Sequence, residues 1–379
     1  MNVPKLRFKE FNDEWTKYKL NDFLDLLTDY DANGSFADMA NNVKTYDTQN
    51  YAWYVRATDL ENNSPLDKVK YTDKESYDFL RKTALYGDEV LMAKRGNIGN
   101  VYYFKSKTKY ATLGPNCYLL KTNNKINNYF LYSYFKSTNG YKKLNRLNAS
   151  STLGALYKDD VKNINLTFPE KKEQSKIAKT LELLDKKIEL QSKKIEDLKL
   201  FKLCINNDLF NGYKTIKLKD ICECKSSPIN LSDIDDDNGN GIYPIYGANG
   251  EIKKISSYQN EKDYLAIVKD GAGVGRTIIC NKKSSIIATL SALIPNDIPV
   301  YYFNELISKI NFSKYIVGSG IPHIYFKDYS NEKLCLHEEE ERVLINNLFK
   351  ILIIKIELEV KELHKLQELK KGLMQQMFV

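Results

Sequence analysis

Two short glycine-containing segments carry the residue types in this chain that are best suited to chemistry. The first half of the chain has KRGNIGN at residues 94–100, and the second half has KDGAGVGR at residues 269–276. Arginine and lysine can clamp guanine or a phosphate, and an asparagine amide can pair with adenine through two hydrogen bonds. The two segments therefore predict contacts to a nucleic acid. For any single residue, an ordinary solvated loop is the alternative.

Similar polar residues recur in other predicted loops of both halves. Serine and threonine hydroxyl groups in such loops can hold phosphates. Recurrence at equivalent places, more than any one residue, favours the nucleic-acid interpretation. The predicted contacts are Arg56, Thr58, Lys94, Arg95, Asn97, Arg146, Ser151, Thr152, Asn249, Lys269, Arg276, Ser319 and His323.

The sequence shows no recognisable catalytic constellation. The GxGxG pattern at residues 271–275 could suggest a nucleotide loop, but such a site requires a helix next, and residues 277–280 have the pattern of a strand. There is no GxxxxGK[ST] loop and no GxSxG turn. Of the six cysteines, only Cys222 and Cys224 are close, with CxC spacing, and there are three histidines. We therefore predict no catalytic residue and no metal site.

Length and charge limit the class of protein. A chain of 379 residues exceeds one compact core and predicts two domains. The net charge of +8 permits a polyanionic partner without proving one. No segment approaches the roughly 18 apolar residues of a membrane span, and the first residues lack the apolar stretch of a signal peptide. We expect a soluble, cytoplasmic protein without membrane contact.

The chain repeats itself, which indicates how these loops are positioned. The tetrapeptide KIEL at residues 187–190 recurs at residues 355–358, an offset of 168 residues. At the same offset, polar breaks coincide, because Gln191 falls on Glu359 and Lys202 falls on Lys370. Apolar residues in line with these breaks step by four and three, which is a heptad seam. Its members are Ile177, Leu181, Leu184, Ile188, Ile195 and Leu198 in the first copy, and Ile345, Phe349, Leu352, Ile356, Leu363 and Leu366 in the second.

The pattern predicts two long helices that act as a spacer. Residues 170–210 and 338–378 lack proline, and each helix would be about 60 Å long at ~1.5 Å per residue. Each has one apolar seam, so each needs a partner, and the simplest partner is the other copy in an antiparallel pair with pseudo-two-fold symmetry. The alternative is that each helix packs along its own domain.

Short β-rich runs separated by Asn, Gly, Asp and Ser precede each helix, with a few helical patches. We therefore predict an α+β fold of two α/β domains, each followed by a long helix. The predicted boundaries are 1–168 and 213–335 for the domains, and 169–212 and 336–379 for the spacer helices.

The chain resembles the specificity subunits of type I restriction-modification systems over essentially its whole length. The resemblance rests on YVRATDL at residues 54–60, KRGNIGN, YPIYGANG at residues 243–250, KDGAGVGR and GSGIPHIYFKD at residues 318–328. Its strongest part is the opening of the first helix, where FPE is followed by Glu173, Gln174 and Asp185. The second copy departs from this pattern, because Arg342 and Ile353 replace Gln174 and Asp185.

The resemblance implies a non-catalytic target-recognition subunit. Each recognition domain would read one half of an asymmetric, bipartite site in double-stranded DNA, and the helices would set the gap. Two methyltransferase subunits carrying S-adenosylmethionine would dock on the helical regions. Two restriction and translocase subunits that use ATP and magnesium would be optional further partners. Two alternatives remain open: a helical scaffold with two protein-binding domains and no DNA contact, and a methyltransferase or nuclease that acts alone.

Overall fold

The computed structural model describes residues 3–147, 155–212, 216–234 and 241–379. The chain forms two compact units. Unit 1 contains residues 1–190 and 363–379, and unit 2 contains residues 191–362. Each unit therefore combines one mixed α+β domain with a part of both long helices.

Unit 1 opens with a domain of short strands and helices, after which the first long helix begins. Its strands are β1 (Thr16–Lys19), β2 (Leu24–Asp29), β3 (Thr45–Tyr46), β4 (Ala52–Val55), β5 (Lys70–Thr72), β6 (Ala84–Leu85), β7 (Val90–Ala93), β8 (Val101–Tyr103), β9 (Ala111–Leu113), β10 (Cys117–Thr122) and β11 (Asn165–Phe168). Its helices are α1 (Phe36–Asn42), α2 (Ala57–Glu61), α3 (Lys74–Phe79), α4 (Asn128–Lys136), α5 (Thr138–Arg146) and α6 (Lys158–Lys162), and then α7 (Lys171–Phe210) follows.

The second domain repeats this order in a shorter form. Its strands are β12 (Ile216–Lys217), β13 (Cys222–Ser226), β14 (Tyr243–Gly247), β15 (Gly250–Ile255), β16 (Tyr264–Val268), β17 (Thr277–Cys280), β18 (Ser285–Ile286), β19 (Leu290–Pro295) and β20 (Lys333–Leu334). Its helices are α8 (Val300–Ile307) and α9 (Phe326–Tyr329), and the second long helix, α10 (Glu339–Gln376), comes last. The α+β class and the order of domain and helix are as predicted.

Each domain contains a four-stranded sheet, and the two sheets have equivalent strand orders. The strand order is β2-β10-β7-β8 in unit 1 and β13-β19-β16-β17 in unit 2. A two-stranded sheet, β1-β11 or β12-β20, accompanies it in each unit. The remaining sheets differ, with the order β3-β5-β4-β9-β6 in unit 1 and β15-β14-β18 in unit 2. The shared framework therefore lies around the four-stranded sheet, and the domains diverge outside it.

The central strands of the four-stranded sheets are buried on both faces. In β7, Val90 and Met92 belong to one apolar cluster and Leu91 belongs to another, because successive side chains point to opposite faces of a strand. Full burial of each such side chain contributes about 1.5–3 kcal/mol to stability. The sheet is thus a rigid layer on which the following turn is mounted.

Within each unit the two long helices run antiparallel. In unit 1, Lys370 of α10 lies 2.5 Å from Asp185 of α7. In unit 2, the Gln191 amide donates to Glu359 Oε2 at 2.7 Å, and Lys194 pairs with the same carboxylate at 2.6 Å. The two polar residues that the 168-residue offset made equivalent, Gln191 and Glu359, therefore face each other across the helix pair.

The heptad seam is internal along its whole length. Of its twelve residues, Ile177, Leu181, Ile195, Ile345, Phe349, Leu352 and Leu366 are buried, and the other five are half-buried. Each long helix also packs against its own domain, which was the alternative to helix pairing. Ile177 and Leu181 join the apolar core of the first domain, and Phe349 joins that of the second. The helices consequently have two partners each.

Candidate nucleic-acid interface

The two glycine-containing segments form equivalent turns. We call residues 94–100, between β7 and β8, the first glycine turn, and residues 269–276, between β16 and β17, the second glycine turn. Lys94 N–H donates to Asn116 O, and Lys94 O accepts from Leu156 N–H, both at 2.9 Å. Lys269 makes the same pair of main-chain bonds with Thr289 and Ile324 at 3.0 Å. Main-chain contacts thus hold both turns in place whatever side chains they carry.

Each turn lies against a neighbouring segment of its own unit. Gly99 has φ +92°, and a Cβ added there would lie 2.8 Å from the Tyr141 ring and 2.9 Å from the Asn145 side chain of α5. In the second glycine turn, Gly271 N–H donates to Pro322 O at 2.8 Å. The GxGxG residues lead directly into strand β17 and not into a helix, as their pattern predicted.

In unit 1 the structure brings several predicted contacts together around the first glycine turn. Arg95 and Asn97 in the turn, Thr58 on α2 and Arg146 at the end of α5 are all exposed. Arg56, at the start of α2, binds the buried Asp59 with Nε at 3.0 Å and a terminal nitrogen at 2.6 Å. Ser151 and Thr152, which were also predicted, lie outside the described residues.

Lys94 differs from the other predicted contacts because it points inward. Its ammonium group is buried and lies 2.9 Å from Asp29 and 2.6 Å from Asp31, while Lys158 pairs with Asp29 at 2.9 Å. Burial alone would raise the pKa of Asp29, but the hydrogen bonds from Lys94 and Lys158 outweigh it and lower that pKa. The same carboxylates raise the pKa of Lys94 against the effect of burial. In this position Lys94 joins the end of β7 to β2, and Asp29 in turn joins β2 to Lys158 of α6. This geometry does not favour the predicted DNA contact of Lys94.

In unit 2 a comparable group of residues surrounds the second glycine turn. The exposed Asn249 and Arg276 line one groove of about 430 Å³ beside β17. His323 forms β-bridges with Asp270 and with Val317, so the loop that carries the exposed Ser319 lies next to the turn. Lys269 is half-buried at the start of the turn.

The charge balance beneath the two turns differs. Strand pairing places Asp29 opposite Tyr118 in unit 1, and it places Ser226 opposite Ser291 at the corresponding position in unit 2. In the described part of unit 2, no carboxylate forms an ion pair with Lys269, the counterpart of Lys94, and Phe326 stands at the position of Lys158. Lys94 is neutralised internally in the first domain, whereas its counterpart Lys269 has no such ion pair among the described residues.

A further residue, Glu61, organises the first glycine turn, and sequence reasoning missed it. Its Oε1 atom accepts from the Asn97 amide at 2.9 Å, the Asn100 amide at 3.2 Å and the Tyr102 hydroxyl at 2.7 Å. The donors lie 36 to 41 residues away along the chain, so no local pattern links them to Glu61.

Glu61 also lines a cavity of about 620 Å³ in unit 1, beside β8 and α4. Glu189 of α7 contributes to its wall, and Glu357 of α10 contributes to the smaller groove in unit 2. These two glutamates are 168 residues apart, so the grooves occupy equivalent positions. Each of these two cavities lies between the glycine turn and a long helix of the same unit.

The comparisons with known proteins agree with this duplicated architecture. The family model described as the type I restriction modification DNA specificity domain matches residues 12–200 and again residues 211–368. The chain belongs to this family. Each match covers one mixed domain together with most of the long helix that follows it.

Two relatives of the specificity family illustrate the likeness. The type I restriction enzyme MjaX specificity subunit of Methanocaldococcus jannaschii is 24% identical over 424 residues, which cover 98% of this chain and 95% of that protein. The type I restriction-modification S subunit from M. genitalium has a TM-score of 0.71 at 18% identity, covering 100% of this chain and 99% of the other. The second comparison supports the fold.

Among the described residues, no helix is long and apolar enough to cross a membrane.

Proposed function

We propose that this chain is the sequence-specificity subunit of a type I restriction-modification complex and reads an asymmetric, bipartite site in double-stranded DNA. One observation carries the proposal. The two glycine turns have the same main-chain anchors but different side chains, Arg95 and Asn97 in one and Asp270 and Arg276 in the other. Turns that are anchored by the same main-chain hydrogen bonds but carry different side chains are suited to two different half-sites.

The proposed role is non-catalytic. The chain would bring the DNA to subunits that carry the chemistry, with S-adenosylmethionine on methyltransferase subunits and ATP with magnesium on restriction and translocase subunits. We propose no cofactor for this chain. The described residues contain no group of three or more His, Cys, Asp or Glu side chains that could hold a metal ion.

Two methyltransferase subunits would need two equivalent docking surfaces, and the long helices supply a candidate pair. We define the helix patch of unit 1 as Leu183, Leu190 and Leu369, and that of unit 2 as Ile351, Leu358 and Phe201. All six side chains are between 53% and 65% exposed. Each residue of one patch is 168 positions from its counterpart in the other. Apolar side chains exposed at matched positions support the docking of two copies of one partner.

A cytoplasmic location fits this role, because the DNA and the proposed cofactors are found there. All six cysteines are free thiols, as is usual in a reducing compartment.

The proposal is tested by sequencing the methylome of cells that carry this chain with its methyltransferase subunits. A bipartite methylated motif is expected. Replacing Arg95 by alanine should relax one half of the motif and leave the other half unchanged, because Arg95 is exposed on the first glycine turn only. A methylome without a sequence motif would instead support the protein-binding scaffold. Relaxation of both halves by Arg95→Ala would contradict separate reading by the two domains.

A further inference from the structure

The carboxylate of Glu61 receives three hydrogen bonds, and two of its donors belong to the first glycine turn. Asn97 and Asn100 both direct their side-chain nitrogen to Glu61 Oε1, and Tyr102 on β8 directs its hydroxyl group to the same atom. These hydrogen bonds, that from Asn97 first, lower the pKa of Glu61 below its usual value against a smaller opposing effect of burial. Glu61 is therefore ionised at neutral pH and acts as an acceptor only.

An ionised partner determines which way a nearby amide points. An asparagine amide can usually turn over and exchange its oxygen and nitrogen at little cost. Beside Glu61 the reversed orientation would place the Asn97 oxygen against a carboxylate, and both groups are acceptors. Asn97 is consequently held with its nitrogen toward Glu61, and its Oδ1 atom and second N–H remain for an external partner.

The groups that Asn97 presents match one base. Adenine offers the N6 amino group as a donor and N7 as an acceptor in the major groove, which suits an amide oxygen beside an amide N–H. Guanine offers only acceptors at the same positions. Asn97 is exposed and lies in the turn beside the exposed Arg95, so its outward edge is accessible to DNA.

We infer that Glu61 is a positioning residue that fixes the orientation of the Asn97 amide, so that the first glycine turn reads an adenine in one half-site. This inference rests on the proposed function. The second glycine turn, KDGAGVGR, contains no asparagine or glutamine. The effect of Glu61 should therefore be confined to one half of the bipartite site.

The test uses the full chain assembled with its methyltransferase subunits and the variant Glu61→Gln. A glutamine can donate as well as accept, so it tolerates both orientations of the Asn97 amide. Binding is measured on duplexes in which each base pair of the motif is changed in turn. We expect Glu61→Gln to lower discrimination roughly 10-fold or more at one A·T pair, with all other pairs discriminated as by the parent chain.

Two further variants separate positioning from folding. Glu75→Gln, at an exposed glutamate of α3, should leave every discrimination ratio unchanged. Asn97→Ala should lose discrimination at the same A·T pair, and adding Glu61→Gln to it should cause no further loss, because the two residues act through one contact. Thermal unfolding of the variants is compared with that of the parent chain to exclude loss of structure.

Each outcome decides one claim. If the parent complex shows no sequence preference, the proposed function fails. If the parent complex is specific but Glu61→Gln keeps full discrimination, the inference alone fails. It also fails if the loss falls at a G·C pair or in both halves of the site.

Discussion

Lys94 shows how one residue of a recognition motif can serve the fold. The KRGNIGN segment predicts two adjacent basic contacts, yet only Arg95 faces solvent, while Lys94 turns inward to Asp29 and Asp31. The reason lies on another strand, because β10 pairs with β2 and brings Asp29 beside Tyr118, under the turn. A buried ammonium group requires such carboxylates.

The residue-scale prediction concerns Asp29→Asn. The change removes the charge shared by Lys94 and Lys158, and it should lower the free energy of unfolding of unit 1 by about 1.5–3 kcal/mol at pH 7. The contacts with lysine lower the pKa of Asp29 in the folded state. Its stabilising effect is therefore complete above the unfolded pKa of about 3.9 and is lost as the pH falls through the lower folded value.

Urea unfolding followed by circular dichroism at pH 7 and at roughly pH 3 checks this prediction. The difference between Asp29→Asn and the parent chain should shrink at the lower pH. Asp25→Asn, at an exposed aspartate on the same strand, is the control and should have little effect at either pH. A difference that grows on acidification would contradict the assigned ion pairs.

Sequence reasoning locates the loops of the candidate site better than it assigns the roles of their residues. The positions of both glycine turns follow from local pattern, since glycine punctuates the strands that flank them. Glu61 and Asp29 could not be found this way, because each acts on residues that only the folded sheet brings near. The functional contacts of Arg95, Asn97 and Arg276 stay predictions.

At the scale of elements, the long helices are the part that the sequence determines best. Heptad spacing predicts the seam, and the 168-residue repeat, interpreted as two like units related by a pseudo-two-fold axis, predicts the antiparallel pairing. The loss of Asp185 in the second copy is the exception. There Lys202 pairs instead with the buried Glu305 of α8, and Asn206 donates to the same carboxylate at 3.0 Å. The acidic partner of the lysine is therefore on a long helix in unit 1 and on α8 of the domain in unit 2. The heptad pattern of the helices cannot predict this difference.

The element-scale prediction concerns the helix patches. Leu190→Asp should remove one methyltransferase subunit from the complex, Leu358→Asp should remove another, and the double variant should bind neither. The reason is that an aspartate would bury a charge at the apolar contact. Both leucines are 59% exposed, so the folding of the free chain should change by only about 0.5 kcal/mol.

Native mass spectrometry of the assembled complex counts the bound subunits. Lys193→Asp, at an exposed position of α7 outside the patch, serves as the matched control and should keep both partners. If the double variant still binds two methyltransferase subunits, the patches are not the docking surfaces.

At the scale of the whole molecule, the two copies are equivalent in pattern but unequal in charge. Glu359 contacts Gln191 and Lys194 in unit 2. The counterparts of these three residues are Gln191, Glu359 and Glu362, so self-pairing by two second copies would bring four carboxylates together. Two first copies would instead meet through glutamine and lysine side chains, which include two hydrogen-bonding amides.

We therefore predict different self-association of the two halves. A fragment of residues 1–212 should form a dimer through its helix, and a fragment of residues 213–379 should do so only at higher concentration. Light scattering during size-exclusion chromatography measures both. Replacing Glu359 by Gln and Glu362 by Lys should strengthen dimerisation of the second fragment. A strictly monomeric first fragment would refute the prediction.

The end of α10 completes the core of the first domain, although it is translated after both domains. Met377 and Phe378 are buried in the core of the first domain, where the Phe378 ring lies 5.4 Å from that of Phe130, and Leu6 N–H donates to Gln376 O. These residues leave the ribosome after both domains have been made. Part of the first domain's core therefore stays exposed until the end of α10 has been translated. We expect a chain that stops before the end of α10 to expose that apolar surface and to be recognised by chaperones and proteases.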